Sequence, residues 1–306
     1  MSDATPSILL LGATGQVGHE LTRTLAPLGT VRAPGRDEVD LAAPETLHRA
    51  VAQVDPALVV NAAAYTDVNG AEDEPERAAM LNAEAPRVLA EAAREAEAWL
   101  VHYSTDYVFD GEKRTPYTED DTPNPINVYG RTKWNGEQAL LRDVGERSVV
   151  LRTSWVYSNR RSNFVRTMLG LVDEHEILTV VDDQIGVPTW AGWLAEATAA
   201  IGERLLTADD ASSLRGLYHL AGTGQTSWYG FARAIFAQFG RTDVTVEPVP
   251  STEYPTPAPR PAYTALESTR ARTTFDLALP TWTTQLARFR ERIGHSGVEV
   301  TSSGTS

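Results

Sequence analysis

The N-terminal end of the chain carries a short apolar run followed at once by three evenly spaced glycines. The run is Ser7–Leu11, and the glycines are Gly12, Gly15 and Gly18. A continuous apolar run of this length is typical of a buried parallel strand, and a helical pattern follows the glycines. Glycines between a strand and a helix let the backbone approach a pyrophosphate, which the free amides of the helix N-terminus can bind. The alternative is a plain tight turn, but the placement favours a dinucleotide-binding turn.

Four more strand patterns follow, so the first half of the chain repeats a strand-then-helix unit. The predicted strands are Thr30–Ala33, Ala57–Val60, Trp99–Tyr103 and Ser148–Leu151. The predicted helices are Pro44–Val54, Glu72–Ala98 (one long helix or two broken at Pro86) and Tyr129–Leu141. Five such units in series predict an α/β fold with a doubly wound parallel sheet, the Rossmann arrangement, over residues 1–154.

The pattern changes after residue 155, where shorter elements and turn-rich segments alternate. The predicted elements are Asn163–Val172, Ile177–Val181, Trp193–Leu206, Gly216–Leu220, Trp228–Phe239, Val244–Val249 and a last helix from Pro280 to Ile293. We expect residues 155–295 to form mainly a smaller, interleaved α/β lobe that binds substrate, with segments around 177–222 completing the first domain. The polar residues 296–306 are expected to be disordered.

Tyr129 and Lys133 are four residues apart, a spacing that places both on one face of a helix. An unperturbed tyrosine has a pKa of roughly 10, and a neighbouring ammonium lowers the pKa of the phenol toward working pH. A hydroxyl from Ser104 or Thr105, at the carboxyl end of a predicted strand, can hold a carbonyl oxygen beside the phenol. These groups suit proton transfer to an oxygen while hydride moves at the attached carbon. The alternative is that Tyr129 and Lys133 are exposed residues on a helix surface with no catalytic role.

The overall charge and composition exclude several classes of function. The formal net charge is −14 with a sequence pI near 4.9, which disfavours binding to nucleic acid or an anionic membrane. The chain has no cysteine, and its six histidines lack metal-ligand spacing. We therefore expect no metal bound through such residues. The N-terminus lacks a basic start and the apolar run at residues 8–11 is too short for a signal or membrane segment, so we expect a cytoplasmic protein. The only lysines are Lys113 and Lys133.

The end of the second predicted strand bears on the choice of cofactor. Dinucleotide folds that prefer NAD place an acidic residue there, on the ribose 2′-hydroxyl. Here the sequence is Pro34-Gly35-Arg36, and an arginine suits a 2′-phosphate, so NADPH is favoured over NADH. Asp40 and Leu41 are expected beside the adenine.

The ordered motifs resemble the extended short-chain dehydrogenase/reductase family, with a likeness that extends from Gly12 to about Trp282. They are Gly-Ala-Thr-Gly-Gln-Val-Gly (12–18), Asn-Ala-Ala-Ala-Tyr-Thr (61–66), Tyr-Ser-Thr-Asp-Tyr-Val-Phe-Asp-Gly (103–111), the pair Tyr129 and Lys133, Leu-Arg-Thr-Ser-Trp-Val-Tyr (151–157), Asn163-Phe164, Gly-Val-Pro-Thr (186–189) and Arg-Pro-Ala-Tyr (260–263). The resemblance implies NAD(P)H-dependent reduction of the C4 ketone of dTDP-4-dehydro-L-rhamnose to dTDP-L-rhamnose.

The resemblance also assigns roles to residues. Thr105 would hydrogen-bond the ketone, Tyr129 would donate the proton, and Lys133 would lower the pKa of Tyr129 and hold the nicotinamide ribose. The expected cofactor-binding residues are Gly12, Thr14, Gly15, Gln16, Val17, Gly18, Arg36, Asp40, Leu41, Ala63, Ala64, Tyr65, Thr66, Tyr103, Tyr129 and Lys133. The expected substrate-binding residues are Thr105, Asp106 and Trp155, with Arg260 inferred for the diphosphate because a guanidinium matches its oxygens.

Some relatives are thought to dimerise through magnesium held by glutamates. Glu20 offers one carboxylate, but residues 190–193 offer no partner, so no metal is predicted and the protein is expected to be a monomer or homodimer. A dehydratase would need Asp-Glu after the catalytic threonine, whereas Asp106 precedes Tyr107. An epimerase is disfavoured only by the resemblance. Another deoxysugar 4-ketoreductase and a non-catalytic nucleotide-binding subunit remain open, and hydrolysis is disfavoured because the chain has no Gly-x-Ser-x-Gly elbow.

Overall fold

The computed structural model describes residues 5–143, 146–208 and 210–294. The strands are β1 (Ser7–Leu11), β2 (Thr30–Arg32), β3 (Leu58–Asn61), β4 (Trp99–Thr105), β5 (Ser148–Thr153), β6 (Val156–Tyr157), β7 (Ile177–Val181), β8 (Ile185–Gly186), β9 (Thr189–Trp190), β10 (Gly216–His219), β11 (Thr226–Ser227) and β12 (Thr245–Val249). The α-helices are α1 (Gln16–Thr24), α2 (Pro44–Val54), α3 (Gly70–Asp73), α4 (Pro75–Ala79), α5 (Ala85–Glu95), α6 (Val128–Gln138), α7 (Phe164–Leu171), α8 (Ala191–Thr207), α9 (Trp228–Phe239), α10 (Thr269–Phe275) and α11 (Trp282–Ile293).

The main sheet is parallel throughout, with the strand order β10-β5-β4-β3-β1-β2 among the described residues. The chain moves outward from β1 to β2, then crosses back over β1 to β3 and continues in the other direction. The doubly wound parallel sheet predicted from the sequence is therefore confirmed. In such sheets ligands bind at the carboxyl ends of the strands, where the strand order reverses. Here that point lies between Gly12, after β1, and Ala62, after β3.

Strand β1 shows how the apolar runs build two core layers. Ile8 and Leu10 belong to a cluster with residues of α1 and α8 on one face of the sheet, whereas Leu9 and Leu11 pack with residues of α2 and α5 on the other. Successive side chains of a strand point to opposite faces, so a strand covered by helices on both sides must be apolar at every position. Each such side chain contributes about 1.5–3 kcal/mol by leaving water.

The helical region after β3 differs from the prediction of a break at Pro86. The break falls at Glu74 instead, where φ is −121° and ψ is 53° directly ahead of Pro75; a residue before proline is disfavoured from helical geometry. Near Pro86 the chain forms a π-helical turn, Met80–Glu84, in which the Ala85 amide bonds to the Met80 carbonyl. The wider turn accommodates the proline ring, and the helix continues into α5.

The second half of the chain contributes both to the main sheet and to smaller sheets. Strand β10 extends the main sheet beside β5, and α8 packs against α1. Strands β7 and β12 form a separate parallel pair, β6 pairs with β9, and β8 pairs with β11. The smaller lobe around these pairs includes α9 and α11. Helix α10, which the sequence patterns did not predict, packs instead against β10 and α8. The predicted disordered tail at 296–306 lies outside the described residues, and no helix within them is long and apolar enough to span a membrane.

Candidate active site

A cavity of about 780 Å³ opens at the carboxyl ends of β1, β3, β4 and β5, at the point where the strand order reverses. Most of the residues expected to bind cofactor or substrate line it. They are Gly12, Thr14, Gly15, Gln16, Val17, Arg36, Asp40, Leu41, Ala63, Ala64, Thr66, Tyr103, Thr105, Asp106, Tyr129, Lys133 and Trp155. Gly18, Tyr65 and Arg260 do not line it.

The glycine-rich turn forms one end of the cavity. Gly12 has a φ of +83°, and a Cβ there would lie 2.7 Å from the backbone of Ala62 and Ala63. A Cβ on Gly18 would lie 2.0 Å from the Gly12 carbonyl oxygen, so Gly18 permits close packing of α1 on the turn. Helix α1 begins at Gln16 without a side-chain cap, so its first amides lack acceptors from the helix or from a cap. Backbone amides without acceptors, placed beside an open cavity, can donate hydrogen bonds to an anion.

The residues after β2 line the neighbouring part of the cavity. Arg32 and Glu38 form an ion pair at 2.5 Å, which neutralises the charge of Arg32. Arg36 lines the cavity, is exposed and has no ion-pair partner within the described ranges. Arg36 therefore offers an unpaired cation to a ligand beside the end of β2.

Tyr129 and Thr105 meet at the opposite end. Thr105 ends β4, and Tyr129 lies in the first turn of α6, which Asn127 caps by accepting a hydrogen bond from the Gly130 amide at 2.7 Å. Burial raises the pKa of Tyr129 to about 12, although a hydrogen bond with the Thr105 hydroxyl favours the ionised form. The phenol is consequently neutral at pH 7 and holds a proton that it can donate.

Lys133 lies one turn further along α6, and its ammonium group is buried. It donates to the Tyr103 carbonyl at 2.6 Å and lies 3.3 Å from His102 Nε2; among the described hydrogen bonds, none joins it to Tyr129. Burial lowers the pKa of Lys133 to about 8. Lys133 therefore lies one helix turn from Tyr129, as the spacing predicts, but its nitrogen bonds to β4. The lowering of the Tyr129 pKa expected from Lys133 is not found, because burial dominates and raises that pKa.

His102 connects Lys133 to β3. Asn61 Oδ1 accepts from the Ala63 amide, so the Asn61 Nδ2 group faces His102 Nδ1 at 3.1 Å and donates to it. Burial and the charge of Lys133 lower the pKa of His102 well below its usual range, so the ring is neutral with its proton on Nε2, facing Lys133. Two donors then face each other whenever Lys133 is charged, which disfavours the charged form of the lysine.

Asp106 is 2% exposed and follows Thr105 directly. Its Oδ1 accepts from the Thr105 hydroxyl at 3.1 Å, while its Oδ2 is buried without a hydrogen-bond partner among the described residues. Burial raises the pKa of Asp106 from 3.8 to about 7, against hydrogen bonds from Thr264 and Thr105 that favour the carboxylate. A buried unpaired carboxyl oxygen in a cavity wall is suited to a ligand hydroxyl.

Trp155 lines the cavity from the segment after β5. Its φ is +45°, and its ring stacks on that of Trp228 with centroids 3.5 Å apart and planes 5° apart. Residue 228 begins α9, so the stack joins the main sheet to the smaller lobe. It also presents a rigid aromatic wall, which suits a sugar ring or a base.

Arg260 lies outside the cavity lining. Its Nη2 donates to Asn69 Oδ1 at 2.9 Å, and its guanidinium lies 5.7 Å from the Tyr107 ring centroid. Tyr107 in turn meets the Tyr129 ring edge-on at 5.9 Å. Arg260 Nη1 is buried without a hydrogen-bond partner in the described part of the chain. The ring of Tyr107 therefore lies between Arg260 and Tyr129.

Two asparagine-centred contacts that sequence reasoning did not identify hold the cavity wall. Asn82 accepts from the Tyr65 amide at 2.9 Å and donates to the Tyr65 carbonyl at 3.0 Å, which fixes the backbone between β3 and α3. Asn61 fixes the Ala63 amide at the start of the same segment. The sequence gives one indication of the first contact: Asn82 interrupts an otherwise apolar helical pattern next to Leu81. The side chain of Tyr65 points elsewhere, with its hydroxyl 2.7 Å from Glu74.

The residues around Glu20 do not fit a divalent cation. Glu20 pairs with Arg292 at 2.9 Å, so an arginine already neutralises that carboxylate. Within residues 5–143, 146–208 and 210–294, no group of His, Asp or Glu has an arrangement that would hold a metal.

Comparisons with known proteins agree with this geometry. The family model described as "RmlD substrate binding domain" matches residues 6–294. A dTDP-4-dehydrorhamnose reductase of Burkholderia thailandensis is 45% identical over 283 residues, which cover 90% of this chain and 95% of that protein. A probable dTDP-4,6-dihydroxy-2-methyloxan-3-one 4-ketoreductase of Streptomyces antibioticus is 41% identical over 280 residues, covering 91% and 92%.

A solved structure leads to the same family. The crystal structure of a dTDP-4-dehydrorhamnose reductase from Bacillus anthracis in complex with NADP superposes with a TM-score of 0.86 and 34% identity, covering 94% of this chain and 99% of that chain. The family model and the relatives each extend over about nine-tenths of the sequence or more, and the resemblance seen in the motifs is confirmed. The chain belongs to the dTDP-4-dehydrorhamnose reductase family.

Proposed function

We propose that this protein is an oxidoreductase that uses NADPH to reduce the C4 ketone of dTDP-4-dehydro-L-rhamnose, giving dTDP-L-rhamnose. One observation carries the proposal: Thr105, Tyr129 and Lys133 line the same cavity as the glycine-rich turn. The activity in the names of the relatives, and the NADP bound by the Bacillus anthracis relative, support it.

The residues present fit a dinucleotide cofactor. The turn from Gly12 leaves no room for a Cβ, and α1 begins with uncapped amides beside the cavity. These features suit the diphosphate, and the unpaired cation of Arg36 suits a 2′-phosphate, which supports NADPH over NADH. When bound, the nicotinamide supplies the hydride that adds to the carbonyl carbon.

The chain itself supplies the proton. The Tyr129 hydroxyl donates to the ketone oxygen as negative charge develops there, while the Thr105 hydroxyl donates to the same oxygen and orients it. A phenol with a pKa of about 12 is still a far stronger acid than an aliphatic alcohol, whose pKa is close to the roughly 15.7 of water. The transfer is therefore favourable without a lowered pKa. Lys133, whose ammonium group donates to the Tyr103 carbonyl, holds the cofactor ribose.

The remaining roles follow the chemistry of each group. Asp106 binds a sugar hydroxyl through its unpaired Oδ2, and Trp155 forms the aromatic wall of the substrate site. Arg260, which lies outside the cavity lining, binds the substrate diphosphate through Nη1 once the side chain turns toward the cavity, since Nη1 has no hydrogen-bond partner among the described residues. The division into a cofactor domain at 1–154 and a substrate lobe at 155–295, the cytoplasmic location and a monomer or homodimer remain predictions.

A second candidate function is the 4-keto reduction of another dTDP-deoxysugar. The Streptomyces antibioticus relative supports it, since 41% identity to a probable 4-ketoreductase is close to the 45% found for the rhamnose enzyme. The two functions share Thr105, Tyr129 and Lys133 and differ in which hydroxyls surround the sugar. Product stereochemistry distinguishes them.

The direct test is to incubate the protein with NADPH and dTDP-4-dehydro-L-rhamnose and to follow nicotinamide absorbance. Loss of absorbance and an NMR spectrum of dTDP-L-rhamnose are expected. Reduction to a C4 epimer, or turnover only with another 4-keto sugar, would favour the second candidate. Tight cofactor binding with no turnover on any 4-keto sugar would indicate a non-catalytic subunit.

Tyr129→Phe tests the proton donor. We expect kcat to fall by about 10²–10⁴-fold, the usual contribution of a general acid, with little change in the Kd for NADPH. Tyr254→Phe is the matched control, because Tyr254 is 63% exposed and should keep parental kinetics. Near-normal turnover by Tyr129→Phe would remove Tyr129 from this role.

A further inference from the structure

The segment 158–163, between β6 and α7, is tied to the glycine-rich turn although the two are far apart in sequence. Asn163 Nδ2 donates to Gln16 Oε1 at 3.0 Å, and the Ser158 hydroxyl donates to the same oxygen at 2.9 Å. Gln16 Nε2 in turn donates to the Val156 carbonyl at 3.3 Å. Gln16 is the first residue of α1, so these bonds hold the segment across the end of the cavity where the helix begins.

Arg161 occupies a strained position in this segment. Its φ is +59°, in the left-handed region that residues with a Cβ seldom adopt. Its Nε donates to the Thr14 carbonyl at 3.2 Å, so the strained backbone places the guanidinium directly on the glycine-rich turn. Strained residues of this kind concentrate at ligand-binding sites, where the surrounding contacts hold them in place.

Arg161 forms no ion pair within the described part of the chain. Its side chain is exposed, it lines the same cavity as Gly12 and Gly15, and no carboxylate of the described ranges pairs with it. The Nε bond to Thr14 leaves both terminal nitrogens without a hydrogen-bond partner among the residues that the structure describes. On a chain of net charge −14, an unpaired cation held against uncapped helix amides is a local focus of positive potential.

We infer that Arg161 binds the diphosphate of the dinucleotide cofactor, together with the first amides of α1. A planar guanidinium donates two parallel hydrogen bonds to phosphate oxygens, which an amide alone cannot do. The inference rests on the proposed function, because it requires that the cavity bind NADPH. The inference gives the two arginines of the cavity different roles. Arg161 binds the diphosphate that NADH and NADPH share, whereas Arg36 binds the 2′-phosphate that only NADPH carries.

The test compares cofactor binding by the parent protein, Arg161→Gly, Arg161→Gln and Arg36→Gln. Glycine removes the charge and relieves the strain at φ +59°, so this variant should fold at least as well as the parent. We expect Arg161→Gly and Arg161→Gln to weaken NADPH and NADH by the same factor, about tenfold, as for loss of a charged hydrogen bond. Arg36→Gln should weaken NADPH alone. Isothermal titration calorimetry gives each Kd.

The matched control is Arg160→Gln, which removes the neighbouring cation outside this cavity and should leave both dissociation constants unchanged. Inorganic pyrophosphate should also compete with NADH less effectively in Arg161→Gly than in the parent. Parental affinity for both cofactors in both Arg161 variants would overturn the inference, as would weakening of NADPH alone. If the parent protein bound neither cofactor, the proposed function would fail with it, and the parental titration shows this before any variant is made.

Discussion

At the scale of single residues, Asp106 is the most perturbed acid of the candidate site. Burial raises its pKa to about 7, so near neutrality the carboxyl group is partly protonated. In that form it can donate a hydrogen bond to a sugar oxygen as well as accept one. A carboxylate fixed in its charged state would only accept. A ligand in this cavity could therefore present either a hydroxyl or a keto group to the same side chain.

The raised pKa of Asp106 predicts a pH dependence of stability. Between the ordinary value of 3.8 and about 7, the folded protein keeps a proton that the unfolded chain has released. The contribution of Asp106 to the free energy of unfolding is therefore full at low pH and falls as pH rises through this window, by about 1.4 kcal/mol per pH unit. Asp106→Asn carries no such titration. Urea unfolding at pH 4 to 8 should show the parent losing stability relative to this variant, and parallel curves would contradict the raised pKa.

At the scale of elements, the connection from β1 to α1 depends on two glycines that approach the same atom. A Cβ on Gly18 would lie 2.0 Å from the Gly12 carbonyl oxygen, and one on Gly15 would lie 3.2 Å from it. The first distance requires the helix or the turn to move, whereas a small adjustment absorbs the second. The position of α1 over the sheet, and with it the direction of its first amides, is thus set by Gly18.

Gly18→Ala should consequently be more harmful than Gly15→Ala. We expect the first to lower the free energy of unfolding by about 1–3 kcal/mol, as for overpacking in a core, and the second by less. Gly18→Ala should also weaken NADPH binding, because displaced amides no longer converge on the diphosphate. Thermal melts and NADPH titrations of the two variants provide the measurement. Equal melting temperatures would show that α1 tolerates the methyl group.

Elements with a strong local pattern were predictable from the sequence. The bounds of β1, α2, β7 and α9 agree with the predictions residue for residue, because each has a strong apolar pattern and glycine or proline lies at an end of β1, α2 and α9. The π turn before α5 was not predictable, since it depends on packing: a Cβ on Gly136 of α6 would lie 2.2 Å from the Asn82 carbonyl. Helix α10 was missed because seven residues carry too few apolar positions to show a period.

The candidate site was predictable to a different extent. Thr105, Tyr129 and Lys133 follow from motif spacing, and they do line one cavity. The bonding of Lys133 to Tyr103 and His102 was not predictable, because it depends on the depth at which α6 packs against β4. The placement of Arg161 beside Thr14 joins segments that are 147 residues apart in the sequence, and no local pattern predicts such a contact.

At the scale of the whole molecule, a buried ion pair links the site to the second half of the chain. Glu137 and Arg152 are both essentially inaccessible and form a bidentate pair, with Nε–Oε1 at 2.8 Å and Nη2–Oε2 at 2.6 Å. The Ser104 hydroxyl also donates to Glu137, beside Thr105, and Arg152 Nη1 lies 3.5 Å from His219 Nε2 on β10. The pair therefore joins α6, β4, β5 and β10 behind the residues proposed to be catalytic.

Removing one charge of this pair should destabilise the whole protein. Glu137→Gln leaves the Arg152 charge buried and unpaired, so we expect the free energy of unfolding to fall by about 3–5 kcal/mol. Glu84→Gln is the control, because Glu84 pairs with Arg87 at the same 2.6 Å but at the surface, where such pairs contribute about 0–1 kcal/mol. Urea unfolding of the two variants measures the contrast. Similar losses would mean that burial adds nothing to this interaction.

Strand β10 joins the main sheet only after more than sixty residues of intervening chain, and it covers the free side of β5. On the ribosome, β5 emerges long before its outer neighbour, and until residue 219 has been synthesised its backbone amides and carbonyls face water or another nascent chain. Translation that stops near residue 154 would therefore release a product with an open, apolar sheet edge. By pairing with β5, strand β10 of the C-terminal half thus protects that sheet edge from association with another chain.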